Sequence, residues 1–328
     1  MKRPPEVTCV GEALIDFVSM RGNSRLAESS VFQKALGGEA ANVAIGLAKL
    51  GTRAAFIGKV GEDPFGRFLV SELANAGVDT NGVRRGTGLR TRLAFVFRKR
   101  PGDRDFEFWE EHPAGERLRF SEIRPDAILN SSIVHIGSLL LLREPSRATA
   151  VRVAETAQRG HRVTSFDANL RLSLWRSPSE ARRIFLRMVR LSTIVRLNDE
   201  EARFLTGKRR MESAARALLD EGPKIVFLTL GHKGCYVETD SESMYVKGFR
   251  VRTVDTTGCG DAFLAGVLHA MVQRNAPPEL LSRQELLSLC RFANAVGALT
   301  ATKRGAAVAM PTARQASLFL HQRLGDAP

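Results

Sequence analysis

Thr253-Val254-Asp255-Thr256-Thr257-Gly258-Cys259-Gly260-Asp261-Ala262-Phe263 is the stretch on which the reading of this chain turns. Gly258 and Gly260 let the backbone bend closely around a ligand. The apolar run behind them, Ala262 to Leu268, reads as the start of a helix over Cys259 to Arg274. The first N–H groups of a helix have no partner within it, and the peptide dipoles favour negative charge there. A glycine-rich turn at that point is therefore a cradle for an anion such as phosphate. Asp261 places a carboxylate beside the cradle, where it would repel a phosphate. It makes chemical sense as a base that takes the proton from a hydroxyl about to attack phosphorus. Two readings fit the segment alone: a phosphoryl-transfer site, or a turn in which Asp261 merely complements the helix dipole.

Outward from this segment, strand-like and helix-like stretches alternate. Strands are expected at Glu6 to Gly11, Arg53 to Gly58, Ser132 to Gly137, Arg162 to Phe166, Thr193 to Leu197 and Lys224 to Leu230. Helices are expected at Ala40 to Leu50, Pro64 to Ala76, Pro145 to Arg159, Pro178 to Arg190, Asp199 to Leu205 and Arg283 to Thr302. Alternation of this kind builds a mainly parallel sheet covered by helices on both faces, a three-layer α/β/α architecture. Lys224 to Leu230 is almost unbroken apolar sequence, as a strand buried on both faces requires. Two stretches break the rhythm. Arg92 to Arg98 and Asp105 to Trp109 alternate around Pro101-Gly102-Asp103, a hairpin pattern, and Ala13 to Met20 with Ser30 to Leu36 supply more extended chain. Together they imply a small β-sheet lid from residues 13–35 and 85–120. Residues 1–12, 36–84 and 121–328 then form the large α/β domain.

The totals narrow the function classes. A chain of 328 residues with 44% hydrophobic and 26% charged residues is an ordinary globular composition, with no apolar run of membrane-spanning length. The opening Met1-Lys2-Arg3-Pro4-Pro5-Glu6 reads without a signal peptide, so a cytoplasmic location is expected. Cys9, Cys235, Cys259 and Cys290 are scattered and form no CxxC pair, against a zinc site or a disulfide framework. The net charge is +14, but the arginines are spread along the chain and aromatics are only 7%, so a basic surface is favoured over a nucleic-acid-binding one.

A second segment carries chemistry: Gly37-Gly38-Glu39-Ala40-Ala41-Asn42, paired glycines at a helix start with an amide that can donate and accept. There is no Walker A sequence and no protein-kinase motif set. Gly37-Gly38-x-x-x-Asn42 early, with Asp255-Thr-Thr-Gly-x-Gly-Asp261 late, resembles the two signatures of the ribokinase-like (PfkB) carbohydrate kinase family. The likeness continues through Gly11 to Asp16, Val60 to Gly66, Asn198-x-x-Glu201 and Thr229-Leu230-Gly231-x-x-Gly234. His135 to Ser138 and Ser165 to Arg171, with Leu174-Trp175, resemble the fructokinase branch.

The resemblance implies a ribokinase-like fold and transfer of the γ-phosphoryl of ATP to a sugar hydroxyl. By position, Asp261 would be the base, and the amides of Gly258, Cys259 and Gly260 the anion hole. Asp16, Gly37, Gly38, Asn42, Asn169 and Arg171 would hold the sugar. Asn198 and Glu201 would act through water on Mg²⁺ and the nucleotide, with Thr229, Gly231, Gly234 and Asn294 along the nucleotide site. Asp255 and Thr257, with carbonyls near Gly305, would be the place for a monovalent cation such as K⁺. Individual residues also have plain structural readings: Asn198 is a preferred helix cap, and Asp16 suits a strand-end turn. Departures from the branch are Ala40 in place of proline, Cys259 in place of a small alanine-like residue, and Glu110 where a basic residue is usual. Fructose is the first expectation for the sugar, with ribose, a nucleoside or 2-keto-3-deoxygluconate as alternatives. A kinase-like scaffold without turnover is the alternative from another class. Exposed strand edges in the lid would also allow a homodimer.

Overall fold

The computed structural model describes residues 3–20, 26–97, 105–109 and 112–325. In chain order the strands are β1 (Val7–Val10), β2 (Leu14–Ser19), β3 (Phe32–Gly37), β4 (Ala54–Gly61), β5 (Asp79–Gly86), β6 (Leu93–Phe97), β7 (Asp105–Trp109), β8 (Ile133–Gly137), β9 (Val163–Asp167), β10 (Ile194–Asn198), β11 (Ile225–Thr229), β12 (Gly234–Thr239) and β13 (Ser243–Lys247). The helices are α1 (Glu39–Lys49), α2 (Pro64–Asn75), α3 (Pro125–Leu129), α4 (Ser146–Arg159), α5 (Pro178–Arg190), α6 (Asp199–Thr206), α7 (Met211–Leu219), α8 (Cys259–Arg274), α9 (Arg283–Thr300) and α10 (Ala313–Leu324).

The main sheet has nine strands in the order β13-β12-β11-β10-β9-β8-β1-β4-β5. From β11 to β5 every pairing is parallel, and β12 and β13 add an antiparallel edge. The alternation of side chains along each strand feeds two apolar layers. Cys9, Ile225 and Phe227 pack with α1, α8 and α9, whereas Val10, Val226 and Leu228 pack with α4, α5 and α7 on the other face. Capping side chains start the helices cleanly: Asp63 accepts from the Gly66 N–H at 2.7 Å, and Asn198 and Glu201 form a reciprocal capping box. At α8 the capping Gly258 has φ 70° and Asn275 beyond its end has φ 50°, left-handed residues that bracket the expected span.

The second sheet has the order β3-β2-β6-β7. β6 and β7 pair antiparallel, as the alternation around the expected hairpin requires, and β2 pairs parallel to β6. The turn at Pro101-Gly102-Asp103 and the departing Glu110 lie outside the described residues. Register sets Asp16, Ala94 and Phe108 across one face and Phe17 and Phe95 across the other. The buried Arg92 anchors this sheet to the main body, with Nε 3.0 Å from Glu12 and Nη2 2.6 Å from Glu116. β3 ends at Gly37 and β5 at Gly86, so each crosses by two residues a lid–domain boundary read from sequence, at 35/36 and 84/85. β5, β12, β13, α3, α7 and α10 are additions to the elements read from sequence.

From β1 the chain runs outward through β4 and β5, then returns to β8 on the other side of β1. In parallel sheets a ligand crevice opens at such a reversal, beyond the carboxyl ends of the strands. Gly11, Ser138, Asn169 and Asn198 all follow or close such ends.

Candidate active site

Two cavities open over those strand ends. The smaller, about 230 Å³, is lined by Asp16 from β2, Gly38, Glu39 and Asn42 from the start of α1, Asn169 and Arg171 after β9, and Asp261 from α8, with Phe106 and Phe108 of β7 above. The larger, about 810 Å³, is lined by Thr229, Gly231, Gly234, Phe249, Cys259 and Asn294 among others. Both are lined by Arg196, Asn198, Thr256 and Gly260, so they meet at the first turn of α8.

Close helix packing makes this junction. A Cβ on Gly46 of α1 would lie 2.8 Å from the Cβ of Ala265 on α8, a distance that only glycine permits. The approach brings Asn42 and Asp261, far apart in sequence, into a hydrogen bond: Asn42 Nδ2 donates to Asp261 Oδ2 at 2.8 Å. Asn169 Nδ2 stands 3.5 Å from Asp261 Oδ1. Asp261 is buried, and burial raises its pKa above the usual aspartate value, against the lowering influence of Asn42, Arg196, Arg171 and Asn169. Those donors and cations favour its charged form, and a raised pKa makes the carboxylate a stronger base than an exposed aspartate.

Arg196 and Asp167 were not singled out from sequence. They face each other in register on β10 and β9, and Arg196 Nη1 lies 3.1 Å from Asp167 Oδ1. Arg196 Nη2 donates to the Thr229 hydroxyl. The guanidinium lies against Gly260, where a Cβ would meet Nη1 at 2.6 Å. Burial opposes its charge, but Asp167, Glu201 and Asp261 outweigh that and raise its pKa further. A fixed positive charge thus sits at the seam between the cavities. The available signal was a lone arginine in the apolar strand Ile194-Val195-Arg196-Leu197. A charge near the carboxyl end of a buried parallel strand is costly unless it is paired, and it marks a site.

The expected site residues separate into groups. Asp16, Gly38, Asn42, Asn169, Arg171, Asn198, Thr257, Gly258, Gly260 and Asp261 line the smaller cavity, and Thr229, Gly231, Gly234, Cys259 and Asn294 the larger. Gly37 acts behind the wall: a Cβ there would lie 2.4 Å from Asp16 Oδ2, so its bareness makes room for that carboxylate. Glu201 lines neither cavity. Its two oxygens accept the N–H of Leu170 and of Asn198, each at 2.8 Å, which ties the β9 and β10 loops together. Asp255 is also turned to the backbone, accepting from Thr257 N–H at 2.8 Å and Gly305 N–H at 3.0 Å, so these three expected residues do converge. The Cys259 amide reaches the Thr256 carbonyl at 3.3 Å, a long bond within the turn.

Among the described residues no group of three or more His, Cys, Asp or Glu side chains could cage a metal. Mg²⁺ does not need one, because it keeps waters and binds through substrate phosphates with one or two carboxylates. The acidic first turn of α6 supplies that donor set, with Asp199 and Glu200 lining the larger cavity beside Asn198.

The arrangement can pass a phosphoryl group from one cavity to a hydroxyl held in the other, and fold and site together define a small-molecule phosphotransferase. The family model for pfkB family carbohydrate kinases matches residues 4–313, and the chain belongs to that family. It is a sugar phosphotransferase. Probable fructokinase-2 of Arabidopsis thaliana is 40% identical over 315 residues, 96% of this chain and 95% of that protein. Among solved structures, the fructokinase with bound ATP from Xylella fastidiosa superposes with a TM-score of 0.88 at 29% identity, covering 98% of this chain and 99% of that one. A double mutant of Vibrio cholerae O395 fructokinase, described with fructose, ADP and potassium ion bound, gives 0.86 at 31% identity over 97% and 100% of the two chains. No described helix is long and apolar enough to cross a membrane.

Proposed function

We propose that this chain transfers the γ-phosphoryl of ATP to a hydroxyl of a small neutral sugar, D-fructose first, giving fructose 6-phosphate. The observation that carries it is the position of Asp261, in the first turn of α8 between a small polar cavity and a nucleotide-sized one. Similarity to fructokinases over nearly the whole chain supports the choice of sugar.

In this reading the nucleotide occupies the larger cavity with its terminal phosphate over Gly258, Cys259 and Gly260. Asp16, Asn42, Asn169 and Arg171 hold the sugar with one hydroxyl beside Asp261. As the sugar oxygen bonds to phosphorus, the bond from phosphorus to the ADP oxygen breaks and the hydroxyl proton passes to the Asp261 carboxylate. Charge develops on the transferring oxygens, and the helix-end amides together with the Arg196 guanidinium would stabilise it, the Cys259 amide by giving up its long bond to the Thr256 carbonyl. Mg²⁺, held on the phosphates beside Asn198, Asp199 and Glu200, would add charge neutralisation, and Glu201 would act on it only indirectly, by fixing the Asn198 and Leu170 backbone. A monovalent cation such as K⁺ would rest on backbone carbonyls near Asp255, Thr257 and Gly305; the buried Asp255 carboxylate supplies its countercharge.

We further infer that residues 13–35 and 85–120 act as a lid, because Leu14, Asp16, Phe106 and Phe108 of the small sheet roof the sugar cavity. Its other face carries Phe95, stacked on Phe17 with ring centroids 5.4 Å apart, and Trp109, which is 56% exposed; Phe17 itself packs back onto Phe65 of α2. A second copy of the chain pairing through this face would cover them. Four free cysteines suit the reducing cytoplasm. A panel of sugars with Mg-ATP, with and without K⁺, read by ADP release and by ³¹P NMR of the product, tests the proposal. Turnover is expected with fructose; ADP release with no phosphorylated sugar would refute it.

A further inference from the structure

Glu39 has no role in the reading from sequence, yet it is the most unusual group in the sugar cavity. It begins α1, one turn from Asn42 on the same helix face, and is 5% exposed. Its Oε1 is fully used, accepting from the Ser138 hydroxyl and the Leu139 N–H, both at 2.8 Å. Its Oε2 is buried with no hydrogen-bond partner. The nearest cation, Arg171, brings Nη1 to 3.7 Å, an ion pair without a hydrogen bond. Arg171 in turn lies over the Phe106 ring, 5.2 Å from its centroid, and so joins the floor of the cavity to the lid. A buried carboxyl oxygen left without a partner is destabilising, and proteins rarely keep one unless a ligand completes it. Burial pushes the Glu39 pKa up to about 8, as expected of a carboxyl waiting for a partner.

We propose that Glu39 is a specificity-determining residue: its Oε2 pairs with a sugar hydroxyl while Arg171 donates to a neighbouring one, so the site selects a neutral polyol over an anionic sugar. The proposal rests on the sugar-kinase reading and deepens it. The charge balance supports it. Asp16, Glu39 and Asp261 set three carboxyl groups against Arg171 and Arg196, and Arg196 is already tied to Asp167. A sugar carboxylate entering there would find no unshared cation, because Arg171 faces Glu39 and Arg196 is held by Asp167. A hydroxyl fits because it can both give and accept a proton.

The test compares the native protein with Glu39→Gln and Glu39→Ala, using fructose and 2-keto-3-deoxygluconate as the neutral and anionic probes. Glu39→Gln keeps an oxygen that can accept from Ser138 and Leu139, so it guards against a simple folding defect. For both variants KM for fructose should rise about 10- to 100-fold, the cost of leaving a buried hydrogen-bond partner unsatisfied, with kcat within about 3-fold. KM for ATP should not move, because Glu39 does not line the nucleotide cavity. The ratio of kcat/KM for the sugar acid over fructose should rise by about 10-fold or more. Unchanged KM for fructose in both variants overturns this inference while leaving the kinase reading intact, as does an equal rise in KM for ATP, which marks a merely structural role. A native preference for the sugar acid overturns it too. Failure of the native protein to phosphorylate any sugar overturns the kinase reading and this inference together.

Discussion

Replacing Gly260 by alanine puts the junction between the cavities under direct strain. The added methyl would lie 2.6 Å from Nη1, 2.7 Å from Nη2 and 2.8 Å from Cζ of Arg196. Comfortable contact begins near 3.5 Å, so the guanidinium must retreat by roughly 0.8 Å. A surface arginine would swing away at little cost. Arg196 cannot, since it is buried and held by Asp167, itself fully buried, and by Thr229. Overpacking of this kind costs about 1–3 kcal/mol, and loosening a buried ion pair adds more, so a loss of about 2–4 kcal/mol is expected in equilibrium urea denaturation. Turnover should fall about 10²- to 10³-fold, as when one preorganised charge-stabilising group is displaced. The decisive control is Arg196→Met. In the double variant the slimmer, flexible methionine leaves room for the methyl, so the two changes together should destabilise less than their sum. Strict additivity, or a Gly260→Ala protein with native stability and turnover, would refute the packing argument.

Two further predictions concern charge and assembly. Burial raises the Asp261 pKa and Arg196 lowers it, and the base works only when ionised, so kcat should fall as pH drops through a limb above the usual aspartate value. Arg196→Met should move that limb to higher pH, and a limb that stays in place in the pH–rate profile would separate Arg196 from the base. Trp109→Glu places a charge on the exposed aromatic face of the lid, and sedimentation should show loss of dimer; a native protein that is monomeric at micromolar concentration contradicts pairing through this face.

How much the sequence reveals depends on how local the determinants are. α8 is legible from Cys259 to Arg274 because left-handed residues bracket it at Gly258 and Asn275. The proposed base and cradle are legible for the same reason, since they occupy one turn of chain. Arg196 and Asp167 are not, because their pairing exists only once β9 and β10 lie in register. Glu39 follows the glycine pair and looks like an ordinary first-turn acid, favourable to the helix dipole. Only the packing of Ser138 and Leu139 onto one of its oxygens leaves the other stranded. The β12–β13 edge escapes notice because its alternation follows a glycine turn that reads first as part of a nucleotide site. Conversely, Asn198 and Glu201 are visible as a motif, and the capping-box spacing accounts for the bond from the Asn198 N–H to Glu201, but the second bond, from the Leu170 N–H of another loop, exists only in the fold.

The central claim is that one carboxylate at the mouth of α8 receives the proton of the attacking sugar hydroxyl. Single-turnover transfer of the γ-phosphoryl of ATP to fructose, native against Asp261→Asn, tests it most directly. The amide can still meet Asn42 and fill the same space but cannot take a proton. Transfer should slow by about 10²- to 10⁴-fold while nucleotide affinity stays at its native value. Transfer within a few-fold of the native rate would contradict the account.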